Sequence, residues 1–463
     1  PAARLREGKV LRKVFRSVLA GGMAAVFLVV GTLAPAAAQQ QQRQLQFIRD
    51  AEIEHIIRVY AQPLFEAAAI DPDSVEIAIV KDQSLNAFVA GGMNLFLHTG
   101  LLMEADDASQ LIGVIAHEVG HIAGGHLIRA REAVEGASAQ AILTMLLGVG
   151  AALASGESGA GAAVMSGGAE MARRSMLAFS RSQESAADQA GLSYLEQAGV
   201  SARGLVKFLE KLQSQELLPP SQQTEFVQTH PLTRTRIEAV RAAVARSRNA
   251  DKPLPALYVD MHERMRAKLL GFINPVQALQ RYRADDPAIP ARYARAIALY
   301  QRGDLKTAMP IIDGLIKAEP DNAFFHELKG QVLLENGRVR DSVAPYRRSV
   351  ELLPNSALLR TALAHALIET NDNAVLDEAI RHLNEATIHE RRSPFTWRML
   401  ATAYGRRNND GMLAYAMAEE AIARGDRPKA RFHAERAERL LPAGSPGWIR
   451  AQDIRAASAK TEP

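Results

Sequence analysis

The sequence predicts an α+β protein that is mainly α: a helical N-terminal domain with a small β-sheet, followed by an α-helical repeat solenoid. Three observations predict this. Strand-like runs cluster between residues 75 and 98, apolar residues elsewhere recur at helical spacing, and a 34-residue period marks the C-terminal part. The 463 residues allow two to four domains with ample core. A composition of 48% hydrophobic and 23% charged residues excludes a disordered or collagen-like chain. The absence of cysteine excludes disulfide stapling, thiol catalysis and cysteine-ligated metal, so any metal site must use His, Asp or Glu.

The net charge of +4 is carried by the N-terminus. Residues 1–38 hold six Lys/Arg (Arg4, Arg6, Lys9, Arg12, Lys13, Arg16) against Glu7, which leaves residues 39–463 at −1. A near-neutral remainder gives no electrostatic reason for a nucleic-acid partner. The basic stretch, the apolar run Val18 to Ala34 and the small residues Ala36-Ala37-Ala38 are the parts of a secretory signal peptide, expected over 1–38. A permanent membrane anchor is the alternative, since the run is nearly long enough. A cleaved signal without cysteine fits a bacterial envelope compartment, the periplasm.

Beyond the signal, a helix is expected over 45–70, with Ile53, Ile56, Ile57, Tyr60 and Leu64 on one face. Strands follow at Val75 to Val80, Leu85 to Ala90 and Asn94 to His98. A strongly apolar helix is expected over 107–131, then helices at 183–198, 200–217 and Thr233 to about Arg248, with Pro219-Pro220 opening a polar loop to His230-Pro231. Segment 136–169 is rich in Gly, Ala and Ser, with Glu157 its only charge. It reads as a mobile lid or membrane-contacting segment, with a buried hairpin or a true span as alternatives.

In the C-terminal part Gly303 and Gly337 are 34 apart, as are Pro320 and Pro354, and the Gly-to-Pro offset of 17 recurs at Gly425 and Pro442. The residue five after each glycine is small: Ala308, Ser342, Ala430. A turn glycine, a small residue where helices cross and a closing proline at this period resemble the tetratricopeptide repeat. Trp397, Leu400 and Tyr404 fit the start of another unit, whereas the unit around Leu363 to Ile388 has Thr370-Asn371 in place of the glycine.

The chemistry is carried by His117-Glu118-Val119-Gly120-His121. Ile112, Ile115, Val119 and Ile122 keep the segment helical and buried on one face. Histidines four apart on a helix can offer imidazoles to one ion. Glu118 projects about 100° round the helix from His117, so it can reach the water that the ion activates without itself ligating. Two neutral imidazoles suit zinc hydrolysis, with Glu118 as the base. A third protein ligand is needed. His126 starts a metzincin-like pattern but stands five rather than six after His121. A continuing helix turns it about 140° away, so a solvated or capping histidine is expected. The better candidate is Glu184, in Ser182-Gln183-Glu184-Ser185-Ala186-Ala187-Asp188. Glu184 and Asp188 share a helix face, so Glu184 can ligate while Asp188 accepts a hydrogen bond from a ligating histidine. Ser185, Ala186 and Ala187 between them predict close packing on another helix.

These residues, with Asn86-Ala87-Phe88, Thr99-Gly100-Leu101-Leu102 and His230-Pro231 followed by Arg236-Ile237, resemble the zinc metallopeptidases that include the CAAX prenyl protease and bacterial membrane-quality-control proteases. The likeness spans about residues 45–250. The added signal peptide and repeats look like the periplasmic subgroup that enhances β-barrel assembly. The resemblance implies a zinc-dependent endopeptidase with one Zn2+ per chain, with His117, His121 and Glu184 as ligands, Glu118 as general base and Asp188 behind a ligand. It implies a site role for His230, with Arg236 nearby. A histidine there can donate to the oxyanion or occupy the ion's open position and shut the enzyme off; a plain turn histidine is the alternative. The implied substrates are unfolded or extended proteins, namely misfolded or stalled outer-membrane proteins, paired by β-augmentation with the strand Asn94 to His98 as the edge. The implied partner of the repeats is the outer-membrane β-barrel assembly machinery, and the implied location the periplasm, with the outer membrane and a membrane surface as further contacts. The expected division is signal peptide 1–38, zinc metallopeptidase domain 39–265, repeat domain 266–455 and tail 456–463. A chaperone or scaffold repeat protein with a self-inhibited zinc site is the alternative function.

Overall fold

The structure, a computed structural model, describes residues 46–126, 129, 180–213, 218 and 224–459. The expected signal peptide, the segment 136–169 and the residues after 459 lie outside the described residues.

The first described element is a strand, β1 (Phe47–Ile48), followed by helix α1 (Ala51–Ala67). The helix expected over 45–70 therefore starts later, because Asp50 caps it: its Oδ1 accepts from Glu52 N at 3.0 Å and Ile53 N at 2.9 Å. The expected face of Ile53, Ile56, Ile57, Tyr60 and Leu64 is fully buried. Strands β2 (Glu76–Val80), β3 (Ala87–Ala90) and β4 (Asn94–His98) complete a sheet of order β1-β2-β4-β3, parallel between β2 and β4 and antiparallel elsewhere. Asn94 to His98 is thus an interior strand, and the edge expected there belongs to β3 instead. The short Gly91-Gly92 turn, with both glycines at positive φ, folds β3 back onto β4, while β2 takes the other side of β4.

Helices α2 (Thr99–Glu104) and α3 (Ala108–Ala123) follow. Asp107 caps α3 by accepting from Ser109 N at 2.9 Å and Gln110 N at 3.2 Å. The helix expected to reach residue 131 stops at Ala123, because Gly124 and Gly125 follow and Gly125 adopts φ +60°. Residues 180–197 form α4; α5 (Arg203–Gln213) packs on α3, and the short α6 (Glu225–Thr229) and α7 (Arg234–Arg246) follow, with α7 packed on α5. Helix α8 (Ala256–Ile273) runs unbroken through residue 265. It seats Met261, Met265 and Leu269 in the N-terminal core, and its Gly271 lies against Ala294 and Ile297 of the repeats.

After α9 (Pro275–Arg281), paired helices build the solenoid: α10 (Ile289–Gln301) with α11 (Leu305–Ala318), α12 (Ala323–Glu335) with α13 (Val339–Leu352), α14 (Ala357–Glu369) with α15 (Leu376–His389), α16 (Pro394–Arg406) with α17 (Asp410–Ala423), and α18 (Arg427–Leu440) with α19 (Pro446–Ala459). Gly303, Gly337 and Gly425 take φ of 79°, 76° and 74° at equivalent turns. Asn371 (φ 56°) does the same work where the glycine is missing, since asparagine tolerates the left-handed region. The small residues Ala308, Ser342 and Ala430 are fully buried at the helix contacts. No helix among the described residues is long and apolar enough to cross a membrane.

Candidate metal centre

Two helices meet closely because they lack side chains where they cross. A Cβ on Gly120 of α3 would lie 2.5 Å from Ala187 O, and one on Gly191 of α4 would lie 2.9 Å from Ala116 O. Ala187 provides the expected close packing, together with Gly191. Ser185 and Ala186 are exposed, because the contact face repeats every three to four residues and includes 184, 187, 188 and 191. The approach brings Glu184 and Asp188, both about 3% exposed, onto His117 and His121.

Glu184 Oε2 lies 3.3 Å from His117 Nε2 and its Oε1 3.3 Å from His121 Nε2, with the two imidazole nitrogens 3.1 Å apart. Across from them, His230 Nδ1 stands 3.2 Å from Glu184 Oε1 and 3.4 Å from His117 Nε2. One donor atom from each of His117, His121, Glu184 and His230 falls within 4.8 Å of all the others. Three imidazoles and one carboxylate, buried and converging, are a donor set that fits a divalent cation of the zinc type. Glu118 stands beside the set and is fully buried. Neither carboxylate oxygen has a hydrogen-bond partner among the described residues, and Oε1 is 3.5 Å from His230 Nε2. A buried carboxylate without partners is costly in a purely structural role.

Outer groups hold the donors. His117 Nδ1 donates to Asp188 Oδ1 at 2.9 Å, so its Nε2 faces the group. Arg236, 4% exposed, grips Asp188 through Nε and Nη2 and reaches Glu184 Oε2 through Nη1 at 2.9 Å. Its guanidinium donates to the two carboxylates and to Pro231 O at 2.9 Å, and no hydrogen bond joins it to His230 among the described residues. Burial favours the neutral acid of Asp188, but His117 and Arg236 outweigh it and hold the carboxyl down at about 2. The same contest leaves Glu184 far below the usual carboxylate range, against burial and through its three histidines. Burial works against a charged His117, yet Asp188 and Glu184 take that imidazole up to about 10.

His230 follows α6. Its Nε2 donates to Ala87 O of the edge strand at 3.2 Å, and Phe226 stacks on its ring at 4.6 Å between centroids. Phe226 N donates to Leu85 O at 3.2 Å, which ties α6 to the start of β3. Phe226 carried no sequence signal beyond its place four before His230. His126, expected to be solvated or capping, is 5% exposed, and its Nδ1 lies 3.0 Å from His121 Nδ1. The glycine pair ahead of it was the available sign that the chain turns back instead of continuing as helix.

Residues 20–244 match the model of peptidase family M48, and residues 290–428 match that of a tetratricopeptide repeat. The chain carries a peptidase family M48 domain. It is similar to the beta-barrel assembly-enhancing protease of Escherichia coli (strain K12), 28% identical over 350 residues, which cover 74% of this chain and 69% of that protein. The protein of the same name from Yersinia pestis is 26% identical over 342 residues, covering 70% and 66%. Metalloprotease LoiP of Escherichia coli (strain K12) is 28% identical over 172 residues, covering 37% of this chain and 62% of its own. With this domain and these relatives the chain is a metalloprotease, and its repeats are of a kind that bind proteins.

Proposed function

We propose that the chain is a zinc-dependent endopeptidase of the bacterial periplasm that hydrolyses misfolded or stalled outer-membrane proteins and assists β-barrel assembly, holding one Zn2+ by His117, His121 and Glu184. The observation that carries this reading is the convergence of those donors beside the unpartnered Glu118. The names of the relatives support the barrel-assembly part.

The ion, when bound, supplies Lewis acidity that makes water a nucleophile near neutral pH. Glu118 receives the proton of the attacking water on its free carboxylate and returns it to the leaving amine. Asp188 fixes His117 with its Nδ1 protonated, and Arg236 keeps Asp188 and Glu184 charged and in place. Edge strand β3 takes an extended substrate by backbone pairing. His230 stands among the donors and takes Ala87 O of that same strand, which favours the shut-off role over the oxyanion role in this arrangement. The peptidase work belongs to residues 39–265 and partner docking, to the β-barrel assembly machinery, to the repeats over 266–455.

A second reading, a chaperone or scaffold with a self-inhibited site, is favoured by the same seating of His230. Degradation of an unfolded outer-membrane protein by wild type and Glu118→Gln tests the proposal. Undiminished degradation by the variant sinks the mechanism, and an assembly phenotype that survives loss of hydrolysis means that both functions coexist.

A further inference from the structure

The peptidase reading gives His126 no role, yet the chain is shaped around it. Gly125 adopts φ +60° and turns the backbone back at the end of α3. The imidazole then lies over Gly124, where a Cβ would meet His126 Nε2 at 2.4 Å. Gln183, next to Glu184 on α4, donates from Nε2 to His126 O at 3.4 Å. The turn and the neighbouring helix hold the backbone of His126, and the ring rests in a cradle without a side chain. It stands nearly perpendicular to His121, with centroids 4.9 Å apart and an angle of 82°.

His121 presents Nε2 to Glu184 and His117, so its other nitrogen faces away from the donor group. That nitrogen meets His126 Nδ1 at 3.0 Å. An imidazole offers a lone pair on one nitrogen only when its proton sits on the other, and an outer hydrogen bond decides which. We propose that His126 is a positioning residue for metal uptake: its Nδ1 accepts the Nδ1–H of His121 and so fixes the rotation and tautomer that turn the His121 Nε2 lone pair to the donor group. Asp188 does this for His117 as a carboxylate whose charge Arg236 balances. At His121 a neutral acceptor achieves the same fixing without another buried negative charge beside Glu184 and Glu118. The inference rests on reading His117, His121 and Glu184 as the metal-binding set.

The test is zinc affinity of the full chain, measured by competition with a chromophoric chelator, alongside thermal unfolding of the zinc-stripped proteins. His126→Leu is expected to bind zinc about 10- to 100-fold more weakly, the range for lost outer partners of metal ligands. His126→Asn keeps an acceptor at the Nδ1 position and stays close to wild type. Gly124→Ala falls with His126→Leu, because the backbone there (φ −69°) accepts alanine and the three atoms nearest the added Cβ all belong to the cradled ring, which must move. Wild-type affinity in His126→Leu, or equal losses in His126→Leu and His126→Asn, overturns the proposal, since the ring then only fills space. Should His126→Leu fail to fold, the contrast between His126→Asn and Gly124→Ala decides the same question. Undiminished zinc binding by His121→Ala would instead remove the metal-binding set itself, and the proposal with it.

Discussion

Arg236 meets Asp188 at two points, Nε to Oδ2 at 2.6 Å and Nη2 to Oδ1 at 2.9 Å, while the same Oδ1 accepts from His117 at 2.9 Å. One guanidinium thereby touches two buried carboxylates, since its Nη1 also reaches Glu184, and it shares their charge balance with the histidines around them. Arg236→Ala leaves Asp188 with His117 alone and takes one cationic partner from Glu184, and a loss of about 3–5 kcal/mol is expected in chemical denaturation. Arg236→Lys recovers only part, because an ammonium lacks the planar fork. A change below about 1 kcal/mol for the alanine variant would mean that the pairs are structurally idle.

Glu118→Gln removes the proposed base while leaving the proposed ligands untouched. Peptide hydrolysis is expected to drop by about 10²- to 10⁴-fold with zinc content unchanged. Loss of zinc in this variant would instead make Glu118 a ligand.

His230→Ala frees both the donor group and Ala87 O. Hydrolysis of an unfolded substrate is expected to rise in proportion to the fraction of molecules held shut, about tenfold if nine-tenths rest with the ring seated. Lower activity would point to an oxyanion donor, and an unchanged rate to a turn histidine.

The joint between the two parts of the chain is buried and charged. Tyr293 Oη donates to Glu52 Oε2 at 2.7 Å, and Lys268 Nζ lies 2.9 Å from Asp50 and 3.4 Å from Glu52. Tyr293→Phe removes one partner of a fully buried carboxylate and is expected to cost about 1–3 kcal/mol. Unaltered stability would show that Arg264 and Lys268 suffice for Glu52.

Glu327 faces the same lysine at 3.6 Å, and burial, aided by Asp50 and Glu52 and opposed by Lys268, pushes its carboxyl up to about 7. Folding therefore binds a proton there that the unfolded chain, with an ordinary carboxylate, releases at lower pH. The stability linked to this proton is present below the ordinary value and is lost as pH rises through about 7. The stability difference between wild type and Glu327→Gln, followed by denaturation from pH ~5 to pH ~8, is expected to shift against wild type as pH rises. A pH-independent difference would contradict the raised value.

Much of this protein was written in local spacing. Apolar positions recur at three and four along α1 and α3, glycines recur at 34, and His117/His121 and Glu184/Asp188 are each four apart. These patterns depend only on helix geometry, which is the same in any fold, so the fold class, the repeats and the candidate donors were legible without coordinates. Helix ends were less so: Asp50 and the Gly124-Gly125 pair set boundaries that hydrophobic periodicity alone extended too far.

The tertiary structure decided what lies between distant segments. Which strand forms the edge depends on β2 pairing in parallel with β4, a contact that passes over β3 in the chain and that alternation within either strand cannot specify. That Arg236 serves two carboxylates and that His126 folds back onto His121 depend on helices crossing at Gly120 and on a turn at Gly125. The physical reason is that periodicity fixes which face a side chain shares, whereas its partner is chosen by packing, where a missing Cβ can bring two backbones close enough to converge their side chains.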